Sequence, residues 1–321
     1  MTDAFRTGFA AQPPESFGFT HIRYEKNGWL ARVTINRPEK HNALAYQTLR
    51  ELERAFLDAA WDDAIAVVVV TGAGDQAFST GGDVDDMENL TRRPHDYWKW
   101  VGAFFDAQDR LRNIGKPTIA RINGIVVGGG NEFNIGCDLA VMADDTYIRQ
   151  IGAARGSVAA AGATQFLPLI VGDRRAREIL FLCEEIPAQK ALEWGLVNKV
   201  VPRKDLDAAV QQMAETVYAK LPNAIRYTKE QMNFWRHLAW GLTIGHAREW
   251  LTLNSAMPET AEGMSAFLEK RQPDYAKMHD AVTAGRDLLP WGPYTRTCAQ
   301  CGADALPESF THCGKCGAAL K

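Results

Sequence analysis

Long apolar runs are missing from this chain of 321 residues. Its most hydrophobic stretches, at 65–70 and 122–127, fall far short of the ~20 residues that cross a bilayer, so no membrane-spanning helix is expected. Residues 1–16 lack the apolar centre of a secretion signal and carry Asp, Arg and Glu instead. A surplus of charge is missing too. The 36 Lys and Arg against 39 Asp and Glu leave a net charge of −3, which gives no general attraction to nucleic acid or anionic lipid. Neither of the phosphate-cradling glycine patterns, GxGxxG and GxxxxGKS/T, occurs. What is present is ordinary for a globular protein: 46 % hydrophobic and 23 % charged residues. At ~150 residues per domain the length suggests about two units. A soluble, cytoplasmic protein is expected, with neither nucleic acid nor membrane as a partner.

Cysteine is sparse except at one place. Cys137 and Cys183 stand alone in apolar surroundings, whereas Cys298, Cys301, Cys313 and Cys316 form two CxxC pairs near the C-terminus. In a reducing compartment that spacing argues for a metal rather than disulfides. Four thiolates close a tetrahedral zinc site with no open position, so the expected ion is structural Zn2+ in a zinc ribbon. His312 is adjacent and superfluous. Lys315 and Lys321 are cancelled by Asp304 and Glu308, and Phe310 is the only ring, so this module is expected to meet a protein rather than a nucleic acid.

The order of elements suggests an α/β architecture. Asn27-Gly28 between alternating residues predicts a hairpin with a type I′ turn. Residues 44–60 have helical spacing, 65–70 suit a strand buried on both faces, and 98–114 read as a second long helix ended by Lys116-Pro117. Strand and helix then alternate to residue 201, which implies a mainly parallel sheet. The expected organisation is an arm at 1–17, an α/β core at 18–204, a helical region at 205–284, a linker at 285–297 and the ribbon at 298–321.

Two glycine clusters close expected strands: FSTGGD at 78–83 and GGGNE at 128–132, the latter opening a helix. Glycine lets a ligand approach backbone N–H groups, and a helix start leaves those groups free. Two such donors converging on one carbonyl oxygen form an oxyanion hole. The alternative reading is that both clusters only make tight turns.

These clusters sit within VTINRPEKHNAL (33–44), VVVVTGAGDQAFSTGGDV (67–84), ARINGIVVGGGNEFNIGCDLAV (120–141), GSVAAAGATQFLPLIVG (156–172), ALEWGLVNKVVP (191–202) and EGMSAFLEKRQPDY (262–275). On these segments residues 19–280 resemble the crotonase (enoyl-CoA hydratase/isomerase) superfamily. The resemblance implies a crotonase (ClpP-like) α/β spiral with a C-terminal helical region that builds homo-trimers, often paired into hexamers. It places Gly82 and Gly129 as the two N–H donors to an acyl-CoA thioester carbonyl. Lys40, Asn42, Ala43 and Leu44 match the segment along the CoA adenine and phosphates, and Lys270 falls where relatives approach the CoA from a neighbouring subunit.

Glu132 matches the first of the two glutamates that hydratases of this family use on water. The second position is Gly152, and no carboxylate lies between Asp145 and Asp173. Asp83, Asp85 and Asp86 are candidates for a second acid/base, or helix-start acids. Gly152, Gly156-Ser157 and the segment 176–198 resemble the dihydroxynaphthoyl-CoA synthase branch, some of whose members hold bicarbonate between residues at Gln150 and Gly152. Ala159 and Ser255 replace an Asp and a Tyr of that branch. GGGNE with GSVAAAGATQFLP looks closest to hydratases and ring-opening hydrolases of alicyclic CoA thioesters, with Ser157 binding a substrate oxygen or capping a helix. The implied function is hydration of an enoyl-CoA, with ring-opening hydrolysis of a cyclic β-keto acyl-CoA as the alternative. A catalytically idle scaffold that docks through its ribbon is the competing reading.

Overall fold

A computed structural model of the chain describes residues 11–91, 93–285, 295–303, 306–307 and 309–320. Residues 1–10 of the expected arm (1–17) and 286–294 of the expected linker (285–297) lie outside the described residues. Two compact units emerge, Met1–Ala256 and Met257–Lys321. No helix among the described residues is long and apolar enough to cross a membrane.

The first unit opens with the hairpin of β1 (Ile22–Asn27) and β2 (Leu30–Ile35). Its two-residue loop is Gly28-Trp29, and only Gly28 has a positive φ, of 57°. A type I′ turn needs positive φ at both central residues, so the expected turn is corrected to one with glycine at the first central position. After α1 (Tyr46–Trp61), the chain enters β3 (Val67–Gly72) and β4 (Ala77–Ser79), then α2 (Val84–Thr91) and α3 (Pro94–Arg112). Next come β5 (Thr118–Ile122) and β6 (Ile125–Val127), α4 (Gly129–Gly136), β7 (Leu139–Ala143) and β8 (Tyr147–Arg149). The unit continues through α5 (Ala163–Val171), α6 (Asp173–Leu182), β9 (Glu185–Pro187), α7 (Ala188–Glu193), β10 (Lys199–Val201), α8 (Leu206–Tyr218) and α9 (Pro222–Asn254). The second unit holds α10 (Pro258–Leu268), α11 (Tyr275–Thr283) and the short pair β11 (Thr295–Arg296) and β12 (Leu306–Pro307).

Each turn of the spiral gives one strand to each of two sheets. The larger runs β1-β2-β3-β5-β7-β10 and is parallel after its hairpin; the smaller runs β4-β6-β8-β9, parallel except for β9. β3 is buried at every residue, as a continuous β-branched run requires. Val68 and Val70 face the main core, while Val67 and Val69 pack with Ile119, Val141 and the apolar face of α8.

Two asparagines tie the sheets at the crossing from β3 to β4. Asn123 accepts from the Gly72 N–H at 3.1 Å and donates to the Gly74 carbonyl at 2.8 Å. Asn42, fully buried with φ of 56°, donates to the carbonyls of Ala73 (2.9 Å) and Ala77 (2.7 Å) and accepts from the Arg37 N–H (3.1 Å). Removing one partner of such bonds leaves buried polar groups unsatisfied, at about 1–3 kcal/mol each. Asn42→Ala is therefore expected to lower the unfolding free energy by about 2–4 kcal/mol, read as a fall in the urea midpoint at fixed protein concentration.

Candidate active site

β4 and β6 are parallel neighbours, so the loops leaving their C-terminal ends lie side by side. The first loop carries Gly81 and Gly82; the second carries Gly128 and runs into α4 at Gly129. Contact between them is so close that a Cβ on Gly81, whose φ is 85°, would lie 2.7 Å from the Gly129 nitrogen. Leu44 clips the first loop from outside: its N–H donates to the Gly81 carbonyl at 2.8 Å, and its carbonyl accepts from the Asp83 N–H at 3.1 Å. In such a bridge the residue between points its own N–H to the opposite side, so the Gly82 N–H faces away from Leu44. Gly129 is the first residue of its helix, where N–H groups are free and the dipole favours negative charge. Among the described residues, neither N–H donates a hydrogen bond.

An aromatic wall backs both glycines. A Cβ on Gly82 would lie 2.9 Å from Met87 Cε and 3.3 Å from the Trp100 ring, and one on Gly129 would lie 2.9 Å from the Phe104 ring. Tyr97, Trp100 and Phe104 share one face of α3 and continue to Phe133, with successive centroids 6.2, 5.7 and 5.2 Å apart. Trp100 Nε1 is buried without a hydrogen-bond partner. Between the first glycine loop and this wall, α2 ends at Thr91 and α3 begins at Pro94.

Glu132, one turn into α4, is buried. Its Oε1 accepts from the Ala161 N–H at 2.9 Å and the Ala163 N–H at 3.2 Å, which places the carboxyl at the start of α5. Gln108 donates to its backbone carbonyl. Burial opposes ionisation and outweighs the two N–H bonds, so the Glu132 pKa rises from 4.5 to about 7. Beside it stands Tyr97, whose hydroxyl is hydrogen-bonded to the Ser157 side chain and feels the Glu132 charge. Burial, the largest cause, pushes that phenol up to about 12. Ser157 caps no helix, since α5 starts at Ala163 behind Gly162; its N–H donates to the Gly152 carbonyl at 2.9 Å. A side chain at 152 has little room, its Cβ meeting the Ser157 carbonyl at 3.0 Å and the Ala159 nitrogen at 3.2 Å. Gln150 is buried and accepts from Asn131 at 3.2 Å.

The acids of the first loop have other work. Asp83 pairs with Arg37 at 2.6 Å and accepts from the Asp85 N–H at 2.9 Å. Burial acts to raise its pKa, but the Arg37 bond and charge prevail and hold the carboxyl below its usual range. Asp85 pairs with Lys40 at 2.7 Å, and Asp86 accepts from the Tyr46 N–H at 2.8 Å. All three therefore brace the loop, and a proton-transfer role for them is withdrawn. The backbone groups of Ala43 and Leu44 are engaged within the chain, Asn42 is spent on the sheet crossing, and the Lys40 ammonium is held by Asp85. In the second unit, Lys270 follows α10 with φ of 54°.

In that second unit the four tail cysteines converge, all Sγ within 4.8 Å of one another. Cys298 and Cys316 are 3.7 Å apart and Cys301 and Cys313 3.6 Å, close to the ~3.8 Å edge that tetrahedral zinc sets with bonds of ~2.3 Å. Each CxxC forms the same knuckle: Gly302 donates to the Cys298 carbonyl at 2.9 Å and Gly317 to that of Cys313 at 2.8 Å. None of the four is in a disulfide.

Tyr97 and Trp100 escaped the sequence reading, because aromatics at helical spacing look like ordinary core. The available signal was their position, on α3, the second helix after the first glycine loop.

A two-sheet spiral with its glycine turns side by side is the crotonase α/β fold. The enoyl-CoA hydratase/isomerase family model matches residues 25–278, and the chain belongs to that family. An enoyl-CoA hydratase/isomerase from Xanthobacter autotrophicus Py2 is 29 % identical with a TM-score of 0.71, over 84 % of this chain and 99 % of that one. An enoyl-CoA hydratase from Bacillus anthracis is 28 % identical with a TM-score of 0.65, over 79 % and 98 %. A monofunctional enoyl CoA isomerase from M. smegmatis is 29 % identical with a TM-score of 0.57, over 66 % and 91 %.

The raised pKa of Glu132 has a sign that can be measured. Between pH 4.5 and about 7 the folded chain keeps a proton that the unfolded chain has lost. This contribution to stability is full below 4.5 and fades as pH rises through 7. Urea midpoints of the wild type are thus expected to fall across that window relative to Glu132→Gln, which does not titrate there.

Proposed function

We propose that the chain adds water to an enoyl-CoA thioester, probing with Gly82 and Gly129 the carbonyl that becomes an enolate. The two free N–H groups beside a buried carboxyl are the observation that carries this reading. Each donor aimed at the developing oxyanion is worth ~3 kcal/mol of transition-state stabilisation. Glu132, titrating near neutrality, accepts a proton from water. The oxygen bonds to the β-carbon, the double-bond electrons move onto the thioester, and protonation at the α-carbon completes hydration. An isomerase reading is disfavoured because Gly152 leaves the second carboxylate position empty. Lys40 is assigned to the CoA phosphates, and Lys270, as the resemblance implies, to the CoA of a neighbouring subunit. An alicyclic acyl group suits the flat aromatic wall and the small residues over 159–163.

Ring-opening hydrolysis is the second reading, favoured by the unpartnered Trp100 N–H, a donor for a ring carbonyl. Water attacks that carbonyl, the adjacent C–C bond breaks, and its electrons reach the same enolate. A mass-spectrometric screen of cyclic and linear enoyl- and oxoacyl-CoA thioesters separates the readings. Gain of one water with the ring intact means hydration; the same gain with a new carboxylate means ring opening. Glu132→Gln is expected to lower kcat about 100-fold or more; undiminished turnover favours another mechanism, and binding without turnover of any thioester favours the idle scaffold. Bicarbonate at Gln150 and Gly152 stays a proposal through which no step is routed.

Assembly into trimers or hexamers is supported by α9, whose outward residues Met232, Trp235 and Leu242 are 63–75 % exposed. The four tail thiolates are assigned to one structural zinc, and the module to a protein contact. Metal analysis is expected to find one zinc per chain, lost in Cys313→Ser, with thioester affinity unchanged within about twofold.

A further inference from the structure

Hydration through an enolate needs two proton movements, and Glu132 accounts for one. The family position for the other carries no side chain, and Gly152 is packed against Ser157 too tightly to accept one without a shift. Ser157 bonds instead to Tyr97, a residue from a different helix. Tyr97 is buried, and its ring stacks on Trp100, which lies against Gly82. Its hydroxyl thus belongs to the same group of residues as the Gly82 loop and the Glu132 carboxyl.

We infer that Tyr97 is the catalytic residue that gives the proton to, and takes it from, the substrate α-carbon, with Ser157 as the positioning residue that orients its hydroxyl. This rests on the enolate reading above and supplies its missing acid. In the forward direction the Tyr97 O–H bond breaks, a C–H bond forms at the α-carbon with the enolate electron pair, and a phenolate remains. Ser157 donates to that phenolate. The proton that Glu132 took from water then returns through solvent to Tyr97, so the cycle adds one water and leaves both residues as they began. Burial separates the two groups in the way that assigns acid and base: the carboxyl titrates near 7 and the phenol near 12. A phenol is also nearer than a carboxylic acid to the weak acidity of a thioester α-carbon, as matched proton transfer requires.

Exchange of the α-proton of saturated acyl-CoA thioesters in D2O isolates this step, because no water is added. Tyr97 that has lost its proton to solvent takes the α-proton as a phenolate and leaves the enolate; it then exchanges its O–H with D2O and returns a deuteron to the α-carbon. Cyclohexanecarbonyl-CoA and butyryl-CoA serve as probes, with deuterium uptake read by mass spectrometry and affinity by calorimetry. The wild type is expected to exchange. Tyr97→Phe is expected to exchange at least ~100-fold more slowly with affinity kept within about threefold, and Ser157→Ala ~10-fold more slowly. Retained affinity shows that the variant is folded. Exchange in Tyr97→Phe at the wild-type rate overturns the assignment, as does a loss in Glu132→Gln as complete as in Tyr97→Phe. Should Tyr97→Phe fail to fold, Ser157→Ala decides, and unchanged exchange there overturns the pair. A wild type that binds the thioesters yet exchanges nothing overturns the enolate reading itself, a result distinct from failure of Tyr97 alone.

Discussion

The site depends on one close approach of backbone to backbone. Gly81 lies against the Gly129 nitrogen with no room for a side chain, so two turns from different windings of the spiral touch directly. Neither turn achieves this alone. β4 and β6 must run parallel in adjacent positions, and those strands are three residues long. They are held by what surrounds them: Asn42 and Asn123 at the sheet crossing, Leu44 on the outer side of the first turn, and Asp83 fixed by Arg37. The Gly82 and Gly129 N–H groups are left over, donating no hydrogen bond among the described residues.

Electrostatics follow from the same packing. α4 begins at the second turn, so its first turn of backbone carries Glu132 inward, where the start of α5 receives the carboxyl. Helix starts favour the charged form, and burial disfavours it; burial wins by enough to move the titration to neutrality. On the outer rim the balance is reversed. Asp83 is also largely buried, yet a guanidinium at 2.6 Å keeps it ionised and inert as a proton carrier. Two carboxyls near one loop thus have opposite uses, set by whether a cation lies alongside.

Much of this was legible in the residues. A β-branched run predicted β3, the glycine clusters marked both turns, and the paired CxxC spacing brought four thiols together. The smaller sheet was not legible, because three-residue strands show no period to read. Asn42 looked like part of a ligand segment and proved to be a brace, since a buried amide and an exposed one are spelled alike. Tyr97 was hidden for a related reason. An aromatic at helical spacing announces burial, and only the surrounding fold shows whether its hydroxyl meets another polar group.

Gly152 has a mechanical consequence as well. A Cβ there would lie 3.0 Å from the Ser157 carbonyl and 3.2 Å from the Ala159 nitrogen, so any side chain at 152 requires the 157–159 backbone to give by a few tenths of an ångström. The segment that carries Ser157 is therefore gauged against a bare backbone, and a substitution at 152 is felt first in the seating of its neighbour.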